Sequence, residues 1–197
     1  MVSSSFHGPN RQSIRLRDYD YSRVGAYYVT IYAKQRACLF GDVIDHRMQL
    51  NEAGLIIKSV WDKLPEFYAG VELDAFVVMP NHLHGVIVIH EPVEAIHESP
   101  SHAVPVVQRR RMVLSKIVGR LKMVTAKEIN VFGSSGQPRW QRNYYEHVIR
   151  DDKSLDRIRQ YISDNPAHWE FDHGNPAGGA IHESPVPWWG SNPCRRV

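Results

Sequence analysis

Two histidines separated by one residue lie inside an apolar stretch, residues 77–89, that reads Val-Val-Met-Pro-Asn-His-Leu-His-Gly-Val-Ile-Val-Ile. The β-branched residues on both sides predict a buried strand. Side chains two apart in a strand point to one face, so His82 and His84 project together, about 6–7 Å apart at the backbone, while Leu83 points into the core. Two imidazoles on a rigid strand supply half of a divalent-metal site. The alternative is a pair of half-buried histidines that bind nothing.

Length and composition indicate an ordinary globular chain. The 197 residues suffice for one domain with a real core, and the hydrophobic fraction is 43%. The net charge of +3 is a basic bias too weak to indicate nucleic acid by itself. The sequence contains no run of 18 apolar residues, so no membrane-spanning helix is predicted, and residues 1–8 lack the apolar core of a signal peptide. Cys38 and Cys194 form no Cys-x-x-Cys pair, which favours a cytoplasmic protein without disulfides.

Strand and helix patterns alternate along the chain. Strands are predicted at 26–33, at 71–79 and over the histidine stretch, with a short hairpin at 41–49. A helix is predicted over 52–68, capped by Asn51, and another over 109–129. Residues 139–150 are basic, aromatic and partly extended. A last helix over 153–164 begins at Asp151 and Asp152, whose charges suit a helix N-terminus, and Pro166 is expected to end it.

A single domain is expected over residues 14–170, with a Pro-rich insertion at 90–108. A flexible N-terminal arm at 1–13 and an irregular tail at 171–197 are expected on either side of it. The hexapeptide Ala-Ile-His-Glu-Ser-Pro occurs at 95–100 and again at 180–185. We interpret it as low-complexity surface sequence, so its histidines are left out of the predicted metal site.

A second pair of chemically able side chains stands on the last helix. Tyr161 and Asn165 are four residues apart and therefore share a face. A carboxamide oxygen suits a hard divalent cation, and a phenol beside a metal-bound phosphate is a candidate nucleophile. The alternatives are a helix cap at Asn165 and a core aromatic at Tyr161. Tyr144 and Tyr145 are rival nucleophiles that have no amide ligand four residues later on a helix.

An ordered set of motifs resembles the REP-associated tyrosine transposases, bacterial relatives of the single-tyrosine transposases in the HUH nuclease superfamily. The motifs are Met-Pro-Asn-His-Leu-His at 79–84, Trp-Gln-Arg-Asn-Tyr-Tyr-Glu-His-Val-Ile-Arg at 140–150 and Tyr-Ile-x-x-Asn-Pro at 161–166. The segment that opens with Ser-Ile-Arg-Leu at 13–16 also looks like the start of that family, so the resemblance spans residues 11–169. The insertion and the tail depart from the shorter family pattern and leave the motifs intact.

The resemblance implies a ferredoxin-like α+β fold, the HUH nuclease palm, with an antiparallel sheet and helices packed on one side. It implies that Tyr161 is the nucleophile and that His82, His84 and Asn165 hold Mg²⁺ or Mn²⁺. The expected activity is cleavage and strand transfer of single-stranded DNA at a REP-like hairpin, with a 5′-phosphotyrosine intermediate and a free 3′-hydroxyl. Because the pKa of tyrosine is about 10, a phenolate can leave again and the step is reversible. Monomer and homodimer both stay open.

Basic residues interleaved with aromatic ones are candidates for DNA contacts, since phosphates attract cations and exposed bases stack on rings. The alternative for each is a solvated surface position, and His147 is interpreted as structural. The candidates are Arg15, Arg17, Tyr19, Arg109, Arg110, Arg120, Lys122, Trp140, Arg142 and Tyr144.

Two other functions compete with the transposase hypothesis. One is a hairpin-DNA-binding protein with no catalytic activity, against which the complete set of candidate site residues argues. The other is an unrelated metal hydrolase that uses His82, His84 and a metal-bound water. Such a hydrolase would tolerate the replacement of Tyr161 by phenylalanine, whereas a tyrosine transposase would not.

Overall fold

The computed structural model describes residues 24–90, 113–132, 139–172 and 174–176. Six strands, β1 to β6 in chain order, cover Gly25–Tyr32, Gly41–Ile44, Arg47–Leu50, Val71–Met79, His82–Ile89 and Tyr145–Ile149. Four helices, α1 to α4, cover Glu52–Asp62, Leu64–Phe67, Val113–Phe132 and Asp152–Asp164. Two 3₁₀ helices cover Lys34–Arg36 and Asn165–Phe171. The predicted N-terminal arm, residues 91–108 of the insertion, both hexapeptides and the tail beyond residue 176 lie outside the described residues.

Four of the strands form one antiparallel sheet in the order β4-β5-β1-β6. With α1 and α3 the chain order is β1-α1-β4-β5-α3-β6, the βαββαβ arrangement of a ferredoxin-like fold. The helices α1 and α3 pack against each other over one face of the sheet. These observations confirm the predicted α+β class. Among the described helices, none is both long enough and apolar enough to span a bilayer.

Strand alternation gives the sheet two different faces. Tyr27, Val29 and Ile31 of β1 join the core beneath α1 and α3, together with the odd-numbered residues of β5. The even-numbered residues of both strands point the other way, where Tyr28 packs with Ile158 of α4. Because His82 and His84 are even-numbered residues of β5, they project onto the face that α4 partly covers.

The predicted helix over 52–68 is wrong in its extent. Its start is as expected, since the Asn51 side chain accepts a hydrogen bond from the Gly54 amide at 3.0 Å. The helix α1 ends at Asp62, and the four-residue α2 follows with Pro65 in its first turn. Proline has no amide hydrogen and its ring collides with the preceding turn, so a continuous helix cannot pass through it.

The chain also continues past Pro166 in a way that the sequence analysis did not expect. The α-helix ends at Asp164, but a 3₁₀ helix follows directly from Asn165 to Phe171. Proline fits the first turn of a helix, where its missing amide hydrogen would have no partner. The continuation carries the chain to Asp172, which lies near His82.

The hairpin predicted at 41–49 is confirmed as β2 and β3, and its turn is strained. Both turn residues, Asp45 and His46, have positive φ angles of 50° and 61°. A left-handed backbone costs an L-residue roughly 1–2 kcal/mol, whereas glycine in a folded chain costs about 0.5–1 kcal/mol of entropy. We therefore expect His46→Gly to stabilise the protein by about 0.5–1 kcal/mol in urea unfolding. Gln49→Gly, in the regular part of β3, should destabilise it; equal effects would contradict this account.

Gly85 follows the second histidine and lies beneath the ring of Trp61. A Cβ atom at Gly85 would stand 2.4 Å from Cη2 and 2.6 Å from Cζ2 of that ring. The ring is buried and stacks on Phe76 with centroids 4.4 Å apart, so it has little room to move. We expect Gly85→Ala to lower the free energy of unfolding by about 1–3 kcal/mol, as overpacked cores do. The matched control is Gly119→Ala on the exposed side of α3, where a Cβ meets nothing within 4 Å and should stabilise the helix by about 1 kcal/mol.

Candidate active site

The strand β5 places the two imidazoles side by side in a buried position. The Nε2 atoms of His82 and His84 are 3.0 Å apart, and the two residues are 0% and 3% exposed. Burial lowers the pKa of His84 to about 3. Burial, and then the neighbouring His84, also lowers the pKa of His82 well below its usual value. Both rings are therefore neutral near pH 7 and have lone pairs to offer a cation.

Asn81 sets the tautomer of His82. The Asn81 amide nitrogen donates to the carbonyl oxygens of Arg36, at 2.9 Å, and Gly174, at 2.5 Å. With the amide hydrogens used in this way, its Oδ1 faces His82 Nδ1 at 2.8 Å and must accept a hydrogen bond from it. The proton therefore sits on Nδ1, which leaves Nε2 as a lone pair directed toward His84.

The other histidine is held by two hydroxyl groups of β1. His84 Nδ1 lies 2.7 Å from the Tyr28 hydroxyl oxygen and 2.9 Å from Thr30 Oγ1. Thr30 in turn donates to Tyr28 at 3.1 Å. Burial, followed by the nearby Tyr161, raises the pKa of Tyr28 well above its usual value, so its hydroxyl stays protonated. If Nδ1 of His84 carries the proton and donates it to Thr30 Oγ1, its Nε2 is left as a lone pair for a cation; if Nδ1 accepts from the Tyr28 hydroxyl, the proton lies on Nε2 and must leave when a cation binds.

The spacing of the two nitrogens fits neighbouring ligands of one ion. In an octahedral shell with bonds of about 2.1 Å, adjacent ligand atoms are about 3.0 Å apart. The observed Nε2 separation is 3.0 Å. Two lone pairs at this distance repel each other unless a proton or a cation lies between them. The donor pair therefore fits two neighbouring positions around one divalent cation.

Tyr161 on α4 reaches this histidine face. Its ring centroid lies 5.4 Å from that of His84 and 6.4 Å from that of Tyr28. Burial is the main cause that raises the pKa of Tyr161 to about 12, and the carboxylate of Asp172 adds to it. Hydrogen bonding with Asn165 and Tyr28 acts in the opposite direction. The phenol is thus neutral at rest and lies beside the imidazole pair.

Asn165 stands at the junction of α4 and the following 3₁₀ helix and is 4% exposed. Its Oδ1 is buried and has no hydrogen-bond partner among the described residues. A buried, unsatisfied carbonyl oxygen costs roughly 1–3 kcal/mol, which a bound cation would recover. Asn165 is therefore the C-cap of α4, which is the alternative predicted for it, and its unsatisfied oxygen is available to bind a cation.

Two charged residues near the site were not predicted from the sequence, nor were Tyr28, Thr30 and Asn81, which hold the histidines. Asp172 brings its Oδ2 to 4.0 Å from His82 Nε2, and the ligand atoms of Asp172, His82 and His84 all lie within 4.8 Å of one another. The Cζ atom of the exposed Arg36 lies 4.7 Å from the ring centroid of Tyr32. The ring centroids of Tyr32 and His82 are in turn 4.9 Å apart. No local pattern marked either residue, because only the path of the chain brings them here.

Three of the predicted DNA-binding residues are engaged in structural contacts in the helical layer, on the sheet face opposite the histidines. The indole nitrogen of Trp140 donates to Thr125 Oγ1 at 2.9 Å, and the Arg120 guanidinium lies 3.6 Å over the ring of Phe67. Lys122 donates to three backbone carbonyl oxygens, those of residues 141, 142 and 143, at 2.9, 3.3 and 3.0 Å. The contacts of Trp140 and Lys122 hold the segment before β6 against α3, and the contact of Arg120 joins α3 to α2.

The remaining predicted DNA contacts divide into two groups. Arg142 is exposed, and the half-buried Tyr144 has its hydroxyl 3.3 Å from Ser115 Oγ. The other predicted DNA contacts fall outside the described residues: Arg15, Arg17, Tyr19, Arg109 and Arg110.

The rival nucleophile Tyr145 lies on β6 with its ring centroid 6.3 Å from that of Tyr28.

Three known proteins are similar to this chain in sequence or in fold. An uncharacterized protein of Haemophilus influenzae is 43% identical over 170 residues, which cover 83% of this chain and 92% of that protein. A second protein of the same organism, provisionally named a REP-associated tyrosine transposase, is 25% identical over 147 residues, covering 75% of this chain and 73% of that one. The fold is similar to the solved structure of a REP-associated tyrosine transposase bound to a REP hairpin, with a TM-score of 0.52 and 18% identity over 80% of this chain and 74% of that one. No family model matches the chain.

Proposed function

We propose that the chain is a REP-associated tyrosine transposase that cleaves and rejoins single-stranded DNA at REP-like hairpins through a covalent tyrosine intermediate. Its likeness to a provisionally named member of that family and to the fold of a solved one supports the proposal. The observation that carries the proposal is the meeting of two elements on one sheet face. A neutral imidazole pair with its Nε2 atoms 3.0 Å apart lies next to a phenol whose ring is 5.4 Å from that of His84.

The reaction is a transesterification. The Tyr161 oxygen attacks the phosphorus, a phosphorus–oxygen bond forms, and the bond between phosphorus and the 3′-oxygen breaks. The phenol loses its proton and the departing 3′-oxygen gains one, so the products are a 5′-phosphotyrosine and a free 3′-hydroxyl. Because one ester bond replaces another, the 3′-hydroxyl can attack the intermediate and rejoin strands without an external energy source.

His82, His84 and Asn165 would hold the Mg²⁺ or Mn²⁺ ion that the resemblance to this family implies. When bound, such an ion supplies a positive charge that offsets the negative charge of the phosphate in the transition state. The protein contributes the orientation of the ligands. Asn81 holds His82 through Nδ1, and Tyr28 and Thr30 hold His84 through its own Nδ1.

Single-stranded DNA would approach the histidine face past exposed cations. Arg36 lies at the rim of this face, next to Tyr32. Its backbone φ angle of 53° and that of Gln35, 58°, are both left-handed, a type of strain that clusters at functional sites. Arg142, exposed before β6, is the described member of the predicted DNA contacts that remains available to a phosphate.

The proposal is tested by incubating the full chain with a labelled single-stranded REP-like hairpin and Mn²⁺, followed by a denaturing gel. The expected result is a labelled band at the mass of the protein plus one DNA fragment, together with a second fragment that ends in a 3′-hydroxyl. The double-stranded form of the same sequence, in which base pairing and stacking hold the backbone in a regular helix, is the control. Tight hairpin binding with no covalent band would support the catalytically silent binding protein instead.

A further inference from the structure

We propose that Asp172 is an additional ligand of the divalent ion at the histidine pair, an inference that rests on the proposed function. The distances allow it. Opposite ligands of an octahedral ion with bonds of about 2.1 Å are about 4.2 Å apart. Asp172 Oδ2 lies 4.0 Å from His82 Nε2, and all three ligand atoms lie within 4.8 Å of one another. The span of 4.8 Å exceeds the largest separation in such a shell by about 0.6 Å, so the carboxylate oxygen would move toward the imidazoles by about that distance when an ion binds.

Charge supplies the reason for a carboxylate at this position. His82, His84 and Asn165 are neutral ligands, and all three are nearly fully buried. A dication held by neutral groups alone would bring two uncompensated positive charges into a poorly solvated site. Mg²⁺ and Mn²⁺ also prefer carboxylate oxygen to imidazole nitrogen. Asp172 lowers the net charge of the occupied site by one and adds the preferred donor.

The turn that carries Asp172 is locked against the histidines. The Gly174 amide donates to Asp172 Oδ1, and the Asn175 amide donates to the Asp172 carbonyl oxygen at 2.9 Å. The Gly174 carbonyl oxygen accepts from Asn81 Nδ2 at 2.5 Å. A Cβ at Gly174 would lie 3.3 Å from both Asn81 Oδ1 and His82 Nδ1, so this turn sits directly on the metal-binding strand.

Asn81 therefore links two parts of the site. Its amide nitrogen holds the turn through Gly174, while its oxygen holds the ring of His82. The position of the carboxylate relative to the imidazole is set by one side chain that is 0% exposed. A ligand fixed in this way loses little conformational freedom when an ion binds, which favours affinity.

The experiment measures Mn²⁺ affinity on the full chain, by the loss of the electron paramagnetic resonance signal of free Mn²⁺. The variants are Asp172→Asn, Asp172→Ala, Glu170→Gln and His82→Ala. Asp172→Asn keeps an oxygen that can accept from the Gly174 amide, so the turn should persist, and thermal unfolding checks this. Glu170→Gln removes the same charge from an exposed position in the adjoining 3₁₀ helix and is the matched control.

We expect both Asp172 variants to raise the Mn²⁺ dissociation constant on the order of 10- to 100-fold, while Glu170→Gln leaves it nearly unchanged. An unchanged dissociation constant in Asp172→Asn, with binding lost in His82→Ala, would overturn the role of Asp172 and leave the proposed function standing. Equal losses in Glu170→Gln and Asp172→Asn would also overturn it, since the effect would then be long-range charge. Mn²⁺ binding that survives His82→Ala would contradict the proposed metal site itself.

Discussion

Tyr161→Phe is expected to remove the covalent protein–DNA adduct while the affinity for hairpin DNA stays unchanged. Loss of the attacking oxygen should lower adduct formation by more than about 1,000-fold, as the loss of other enzyme nucleophiles does. The ring would keep its packing against Tyr28 and His84, so the binding face keeps its shape. The measurements are the denaturing-gel assay with Mn²⁺ and a filter-binding titration with the same labelled hairpin.

The rival tyrosines provide the controls for this experiment. Tyr145→Phe removes the hydroxyl of a tyrosine on β6 that lies opposite Thr30, on the sheet face that carries the proposed site. Tyr144→Phe removes the hydroxyl that lies near Ser115. Both variants should form the adduct at close to the normal rate. An adduct that persists in Tyr161→Phe and disappears in Tyr145→Phe would reassign the nucleophile. Metal-dependent cleavage without any adduct, unaffected by Tyr161→Phe, would favour the hydrolase hypothesis.

His82→Ala has the second largest expected effect, since it removes one of the two imidazoles whose nitrogens are 3.0 Å apart. We expect Mn²⁺ affinity to fall by at least about 100-fold and strand cleavage to fall with it. Removing the metal from the unaltered protein with EDTA should abolish cleavage, and added Mn²⁺ should restore it. The measurements are Mn²⁺ titration and the gel assay, with circular dichroism to check the fold.

His90→Ala is the matched control for the histidine variant. His90 directly follows the same strand, is exposed, and bonds to Glu72 at 2.8 Å. An exposed pair of this kind contributes about 0–1 kcal/mol to stability, so its loss should change neither metal binding nor cleavage. Full cleavage by His82→Ala in the presence of EDTA would show that the reaction needs no ion at this pair.

The parts of the fold that depend on local periodicity were predictable. Alternation in residues 77–89 placed His82 and His84 on one face, and the Nε2 distance of 3.0 Å agrees with this placement. The cap at Asn51 and the hairpin at 41–49 were also predicted correctly. The extent of the helix over 52–68 was predicted wrongly because its apolar spacing continues past Pro65, where the backbone cannot.

The parts of the site that depend on long-range pairing were not predictable. Tyr28 and Thr30 contact His84 because β1 pairs with β5 in one particular register, with Thr30 opposite His84. The sequence contains both strands but does not state which strands pair. From residue type alone, Lys122 and Trp140 were predicted to contact DNA. In the structure Lys122 donates to backbone carbonyl oxygens, and the indole nitrogen of Trp140 donates to Thr125.

By itself the sequence determined which residue types share a face within each strand or helix, because side-chain direction repeats every two residues in a strand and about every 3.6 in a helix. It therefore defined the imidazole pair and the tyrosine–asparagine pair separately. Only the tertiary structure decided that these pairs meet, that Asp172 joins them and that Asn81 orients His82. Such contacts join residues up to 93 positions apart, and their formation depends on strand order, register and the packing of α4, which no local pattern encodes.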